Sequence, residues 1–174
     1  MAPVIASSTN TPAEIAPKKE TYQWLGGDDE PKYIVLPSIS AEGFVQKAGI
    51  DQNNEIAVPS NIHMAAWFLK SAKPGLPGLS IIDGHVNGRE NAGIFKDLSK
   101  LKNGDVYSVE LGSGEIKQYK VFKNETVAVA DSVNTLFSQD SKVPSQLNLI
   151  TCGGTFDSKT QSYDKRVIIY SALQ

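Results

Sequence analysis

Short runs of apolar and β-branched residues, separated by Gly, Pro and Asn, dominate the sequence and restrict the folds open to it. Runs of this length between turn residues are typical of β-strands, and the Gly112-Ser113-Gly114 stretch is a hairpin signal between two of them. We therefore predict an all-β domain, with a first region that reads as an antiparallel meander. The predicted strands cover residues 32–37, 43–47, 55–58, 79–83, 106–111, 116–122, 126–130, 147–150 and 167–169.

The apolar run at 147–150 leads to Cys152, the only cysteine in the chain, which is followed by Gly153 and Gly154. Glycine lets the backbone turn sharply and lets another chain approach closely. Fourteen residues later Arg166 opens the run at 167–169. Two strands joined by this glycine-rich connection would bring Arg166 back beside Cys152.

The strand predicted at 79–83 is followed by Gly84 and His85, so a histidine also stands at a strand end. Side chains alternate along a strand, which places Asp83 and His85 on one face. Asp83 either orients His85 or pairs with its charge, or else it caps the turn or meets solvent. We prefer the second reading because Asp is a common turn residue. Taken singly, a lone Cys is usually a small buried hydrophobe, and His85 and Arg166 have equally ordinary explanations. Together they make a candidate nucleophile, proton carrier and anion stabiliser.

These motifs resemble those of the sortases, the cysteine transpeptidases of bacterial cell surfaces. The resemblance rests on the 148–152 segment Asn-Leu-Ile-Thr-Cys, on Gly84-His85-Val86, and on Arg166 at the start of the last strand. The segment from Cys152 to Asp157, with Tyr163, looks most like class F. The resemblance covers residue 32 to the C-terminus. It implies a closed sortase-type β-barrel of about eight strands with a few short helices.

The resemblance also implies a chemistry. Cys152 would attack a sorting signal of the Leu-Pro-x-Thr-Gly type after its threonine, Arg166 would stabilise the oxyanion, and His85 would transfer protons. An amine from a cell-wall precursor or a pilin lysine would then resolve the thioester. Ile150 and Thr151 match motif positions that border the bound signal, and Phe137 and Pro144 lie in the long 131–146 connection that lines the groove in the family.

Two positions depart from the family pattern. Asn148 stands where Thr is usual, and we expect an effect on packing there rather than on chemistry. Asp83 stands where many relatives carry a small residue, next to the substrate groove, which puts substrate preference in doubt.

The N-terminal residues 1–31 mix Ala, Pro, Ser, Thr, Lys and Glu without an apolar period, and they predict a flexible linker or stalk before a catalytic domain at 32–174. Tyr22, Trp24 and Leu25 suggest that the later part packs on the domain. Sortases usually carry an N-terminal membrane anchor. None is present here, so we expect Met1 to open a trimmed form of a protein that acts, as a monomer, at the extracellular face of the membrane.

Composition and residue spacing bear on whether the protein binds nucleic acid, a metal or a cofactor. The chain has 174 residues and a net charge of −2, which does not argue for nucleic-acid binding. No Cys or His pair has zinc spacing, and the acidic run at 28–30 reads as a solvated turn, so we expect neither metal nor cofactor. We also expect short helices at 61–71, capped by Asn61, and at 91–101, where Ile94, Phe95, Leu98 and Leu101 form a core face.

Two other functions stay open. The first is a cysteine hydrolase that only cleaves, using the same residues; a papain-like order is disfavoured because His85 precedes Cys152. The second is a non-catalytic surface module that binds a peptide while Cys152 stays inert.

Overall fold

Ten strands and one α-helix form the regular structure of the part described by the computed structural model, which comprises residues 4–5, 11–50 and 55–174. Two 3-10 turns, Pro37–Ile39 and Leu98–Lys100, complete it. The strands are β1 Val4–Ile5, β2 Pro31–Leu36, β3 Ala41–Ala48, β4 Glu55–Ile56, β5 Ala65–Phe68, β6 Gly78–Gly84, β7 Val106–Leu111, β8 Ile116–Ala128, β9 Ser145–Asp157 and β10 Ser162–Leu173, and the helix is α1 Val129–Leu136. Among the described residues, no helix is both long and apolar enough to cross a membrane.

Eight of the strands close into a barrel in the order β10-β8-β7-β2-β3-β5-β6-β9, and β9 pairs with β10 to complete it. Most neighbours are antiparallel, but β3 with β5 and β6 with β9 are parallel. The predicted all-β closed barrel is confirmed. The predicted meander at its start is wrong, because β4 leaves the barrel to pair with β1 and β3 pairs in parallel with β5.

The barrel interior is apolar and draws residues from every strand of the barrel. Because successive side chains point to opposite faces, alternate residues of each strand enter this core, among them Ile34, Ile82, Leu149 and Ile169, all fully buried. The other face of β6, β9 and β10 carries a second apolar cluster, which includes Ile81, Ile150, Ile168 and Leu136 of α1. The candidate site lies on the same outer face, next to this outer cluster.

The helix predicted at 61–71 is wrong. Residues Ala65–Phe68 form strand β5 and all four are buried, because β5 lies between β3 and β6 in the barrel wall. A short strand buried on both faces carries no alternation that would distinguish it from a helix. Asn61 accepts the backbone N–H of His63 at 2.9 Å, which is a local turn rather than a helix cap.

The segment predicted as a helix at 91–101 keeps its core face but not its helix. Ile94, Phe95, Leu98 and Leu101 are buried in the barrel core as expected. Only Leu98–Lys100 is helical. Two backbone N–H groups of the preceding part bond outside the segment, that of Ile94 to the Ile62 carbonyl at 2.7 Å and that of Phe95 to the His85 carbonyl at 3.0 Å.

The connection predicted at 131–146 has the expected length but lies two residues earlier, since β8 ends at Ala128, α1 follows it and β9 starts at Ser145. At the other end of the chain, residues 11–30 lie against the barrel. The Trp24 indole donates to the Val45 carbonyl at 2.9 Å and the Tyr22 and Phe44 rings are 4.4 Å apart, whereas Leu25 is exposed. The boundary between a linker at 1–31 and a domain at 32–174 stays a prediction, and residues 1–3 and 6–10 of that linker lie outside the described residues.

Candidate active site

Three neighbouring strands bring the predicted Cys, His and Arg together. Cys152 of β9 and Arg166 of β10 are direct cross-strand partners. On the other side of β9, Asp83 of β6 pairs with Ile150, and the two strands are parallel. His85, two residues beyond Asp83, is therefore brought towards Cys152, two residues beyond Ile150. Period-two alternation places all these side chains on the outer face. The site therefore lies at the end of the outer apolar cluster.

The backbone before His85 is held by two contacts of Gly84, one with Thr151 of β9 and one with the Phe95 ring. The Thr151 hydroxyl donates to the Gly84 carbonyl at 2.6 Å, which ties the end of β6 to the residue before the thiol. A Cβ on Gly84 would lie 2.5 Å from the Phe95 ring, well inside a carbon–carbon contact. Glycine before His85 thus allows Phe95 to pack directly under the strand end.

The half-buried His85 ring is held by a backbone acceptor. Its Nε2 lies 2.7 Å from the Pro59 carbonyl oxygen. A carbonyl only accepts hydrogen bonds, so Nε2 carries the proton. The Pro59 carbonyl therefore orients the ring and leaves Nδ1 as its acceptor nitrogen.

The Cys152 thiol is half-buried and not part of a disulfide. Burial raises its pKa above the ordinary value, the positive charge of Arg166 opposes that rise, and the Asp83 carboxylate adds to it. The raised pKa favours the neutral thiol over the thiolate, which is the reactive form of cysteine.

Arg166 is buried, with 4% of its surface exposed. One terminal nitrogen donates to the Tyr163 and Lys165 carbonyls at 3.2 and 2.9 Å, which fixes the guanidinium plane. The Nε–H is buried and has no hydrogen-bond partner among the described residues. Buried polar groups are nearly always satisfied, so this donor suits an oxygen that arrives with a ligand.

The structure corrects the prediction that Asp83 occupies a turn or meets solvent. It lies within β6 and is only 7% exposed. Burial raises the pKa of its carboxyl to about 6, against the opposing effects of His85, the Gly84 N–H and Arg166. The carboxylate therefore belongs to the electrostatics of the site, although the hydrogen-bond partner of His85 Nε2 is Pro59.

The four predicted substrate-binding residues fall into two groups. Ile150 and Thr151 are buried, one in the outer cluster and one against Gly84, and their contact with a substrate stays a prediction. Phe137 is 37% exposed, with its ring 6.0 Å from that of Phe68, and Pro144 is exposed at the start of β9. Both stand where a ligand can reach them.

Asn148 and its neighbour Gln146 link β9 to the segment after α1. Asn148 Nδ2 donates to the Leu136 carbonyl at 2.7 Å, and Gln146 Nε2 donates to the Asn148 side-chain oxygen at 2.8 Å. Both side chains are fully buried on the face that carries Cys152. The expected role in packing is thus filled by a pair of amides that position the loop bearing Phe137.

Comparison with known proteins identifies the family. The sequence model of the sortase domain matches residues 34–174, most of the chain. The chain belongs to the sortase family. A comparison with curated proteins found no match.

Solved sortases of several classes share the fold. A lid mutant of sortase A from Corynebacterium diphtheriae is 24% identical, with 83% of this chain and 69% of that chain covered and a TM-score of 0.62. Sortase C-1 from Actinomyces oris is 24% identical, with 84% and 76% covered and a TM-score of 0.60. A sortase D5 transpeptidase from Clostridium perfringens is 19% identical, with 84% and 79% covered and a TM-score of 0.59. At these identities the similarity shows the fold of this sortase and not its class.

Proposed function

We propose that this sortase is a cysteine transpeptidase of class F that cleaves a Leu-Pro-x-Thr-Gly-like sorting signal between Thr and Gly and transfers the new carboxyl end to an amine. The observation that carries the proposal is the pairing of Cys152 with Arg166 on the strand next to the one that presents His85. This juxtaposition supplies a nucleophile, an oxyanion donor and a proton carrier on one face.

In the first half-reaction the Cys152 thiol passes its proton to His85 Nδ1, and the thiolate attacks the carbonyl carbon of the scissile Thr–Gly bond. The developing oxyanion accepts a hydrogen bond from Arg166 Nε–H, the buried donor that has no partner among the described residues. One such donor is typically worth about 3 kcal/mol in the transition state. The C–N bond breaks as His85 returns its proton to the leaving amine, and a thioester on Cys152 remains.

In the second half-reaction an amine attacks the thioester carbonyl and gives its proton to His85. The C–S bond breaks, the thiolate leaves, and an amide joins the signal to the amine. The Pro59 carbonyl at Nε2 keeps Nδ1 in place for each of these transfers, because it holds the ring with its proton on Nε2.

The signal would lie across the outer face, with its Leu-Pro part near the loop after α1. Phe137 and Pro144 are the exposed apolar residues we assign to that contact. The partners that follow are a surface protein bearing the signal and an amine of the cell wall or of a pilin lysine, at the outer side of a bacterial membrane. We propose that the enzyme acts there as a monomer.

The raised pKa of Cys152 is the one observation that favours an inert thiol and hence a peptide-binding module without catalysis. The two functions differ in native-state reactivity. A catalytic Cys152 reacts with iodoacetamide in the folded protein at a rate that falls in His85→Ala, whereas the thiol of an inert module reacts at a rate that this substitution leaves unchanged.

The direct test offers a Leu-Pro-x-Thr-Gly peptide with and without triglycine and separates the products by chromatography. Transpeptidation gives a product that carries triglycine at the threonine and is lost in Cys152→Ala. Product that is only hydrolysed, at every triglycine concentration, would assign the chain to the cysteine hydrolases instead.

A further inference from the structure

Residues 13–15 of the N-terminal segment form a strap across the protein that runs beside both loops around His85. The first loop is 59–63. Ala13 N–H donates to the Ser60 carbonyl and Ile62 N–H donates to the Ala13 carbonyl, both at 2.9 Å. The strap thus pairs with this loop as a parallel bridge, next to the Pro59 carbonyl that holds His85 Nε2.

Side chains of the same loop reinforce this pairing. Asn61 Nδ2 donates to the Ile15 carbonyl at 2.8 Å, and His63 Nε2 lies 3.0 Å from the Glu14 carbonyl oxygen. Four hydrogen bonds therefore connect three strap residues with the four residues that follow Pro59. The loop is also bonded to β3, where the Ser60 N–H and hydroxyl donate to the Gln46 side-chain oxygen at 3.3 and 3.0 Å. The strap and β3 therefore hold the Pro59 carbonyl together.

The second loop is 87–91, which follows His85 directly. The Glu14 carboxylate accepts the backbone N–H groups of Arg89, Glu90 and Asn91 and the side-chain amide of Asn91, with the Glu90 and Asn91 contacts between 3.0 and 3.1 Å. A carboxylate that accepts several N–H groups makes charge-assisted bonds, which are stronger than neutral ones. These bonds outweigh the opposing effect of burial and lower the pKa of Glu14.

The second loop also contacts the arginine side of the site. Asn87 accepts the Tyr163 hydroxyl at 2.9 Å, and the Tyr163 carbonyl in turn accepts from Arg166. Phe95, beyond the loop, donates its N–H to the His85 carbonyl. The Glu14 carboxylate thus holds the loop that leaves His85, while the backbone of residues 13–15 contacts the loop that begins at Pro59, whose carbonyl orients the ring.

We propose that Glu14 is a positioning residue for His85, so that the N-terminal strap sets the geometry of proton transfer without touching the substrate. The inference rests on the proposed transpeptidase function for its kinetic part. The inference distinguishes Glu14 from an ordinary stabilising residue. Among the described residues, the hydrogen bonds of the strap go to the two loops around His85 and not to barrel strands, so loss of the strap changes the orientation of the His85 ring rather than the barrel.

The test compares Glu14→Ala and Glu14→Gln with the matched control Glu20→Ala, which removes an exposed carboxylate from the same N-terminal segment outside the strap. In Glu14→Ala we expect kcat to fall about tenfold with KM nearly unchanged, since small misplacements of a catalytic group cost factors of this order. Glu14→Gln keeps one acceptor oxygen for the loop N–H groups, so it gives an intermediate loss. Glu20→Ala leaves kcat unchanged.

The readout independent of activity is the tautomer of His85, measured from the side-chain ¹⁵N shifts of the two histidines by NMR. Wild type and Glu20→Ala show Nε2–H, and Glu14→Ala shows a mixture of both tautomers. A lower Tm in Glu14→Ala with wild-type kcat and an unchanged tautomer would overturn the proposal and leave Glu14 a purely structural residue.

Failure of this inference differs from failure of the proposed function. If the wild type makes no transpeptidation product, the proposed function fails. The ¹⁵N shifts alone then show whether Glu14 positions the His85 ring. If wild type is active and all three variants match it, only the positioning role of Glu14 is lost.

Discussion

Asp83→Asn removes a charge buried inside the candidate active site, and we expect it to stabilise the protein at neutral pH. The carboxyl is 7% exposed and its pKa rises from an ordinary value of 3.8 to about 6, chiefly through burial. Asn has nearly the same shape and keeps an oxygen for the Gly84 N–H. The substitution therefore changes charge with little change in volume.

The sign and size of the effect follow from proton linkage. Between pH 3.8 and 6 the folded protein binds a proton at Asp83 that the unfolded chain has released, so the free energy of unfolding falls as pH rises through this window. A shift of about 2 pKa units corresponds to about 3 kcal/mol. The Asn variant lacks this loss. Its free energy of unfolding should therefore exceed that of the wild type by almost nothing below pH 3.8, by about 1 kcal/mol at pH 4.5 and by about 3 kcal/mol at pH 7.

Urea unfolding at pH 4.5, 5.5 and 7 measures the difference directly, with the exposed Asp28→Asn as the control for loss of a surface charge. A stabilisation that grows with pH in Asp83→Asn alone supports the reasoning. A difference that does not change with pH, or an Asn variant that is less stable at pH 7, would refute it, because the buried carboxylate would then be fully compensated by its cationic neighbours.

Four further results are expected. The pH midpoint of Cys152 alkylation should move down in Asp83→Asn and up in Arg166→Gln, because the carboxylate raises the pKa of the thiol and the guanidinium lowers it; midpoints that move the other way would contradict this electrostatic account. Arg166→Lys should lower kcat by about 100-fold, since an ammonium lacks the fixed Nε–H donor, and a loss below threefold would argue against an oxyanion role. Asn148→Ala should cost about 2 kcal/mol in urea unfolding through the orphaned Leu136 carbonyl, and Asn134→Ala, in the exposed part of α1, serves as the control. On acidification below pH 4, Glu14→Ala and wild type should converge in Tm, because the lowered pKa of Glu14 contributes stability that is present above its unfolded value and lost below the folded one; a constant gap in Tm would contradict this.

The sequence predicts the barrel strands well where an apolar run has a clear length and clear turn residues at both ends. The apolar runs before Cys152, after Arg166 and before His85 are of this kind, so these three runs and a family resemblance predict the candidate site. The predicted strand ends at Cys152 and Arg166 are wrong, because both residues lie within the longer strands β9 and β10, which turn at 158–161 and not at the two glycines. Where a strand is short and buried on both faces, as β5 is, the pattern does not separate it from a helix.

The remaining features depend on contacts between residues far apart in the chain. Pro59 and His85 are 26 residues apart, and Glu14 lies 75 to 77 residues before the N–H groups it accepts. No local spacing indicates such pairs. The burial of Asp83 escapes prediction for a related reason, because an Asp beside a Gly is typical of a turn and only the closure of β6 against β9 takes it out of solvent.

The central claim is that Cys152 forms a thioester with a sorting signal and passes it to an amine. Intact-protein mass spectrometry, after mixing the protein with a Leu-Pro-x-Thr-Gly peptide library, tests it most directly. The account predicts an added mass equal to a peptide cleaved after Thr, absent in Cys152→Ala and discharged when triglycine is added. No adduct from any peptide, together with a Cys152 that resists alkylation in the folded protein, would contradict it and indicate a binding module with an inert thiol.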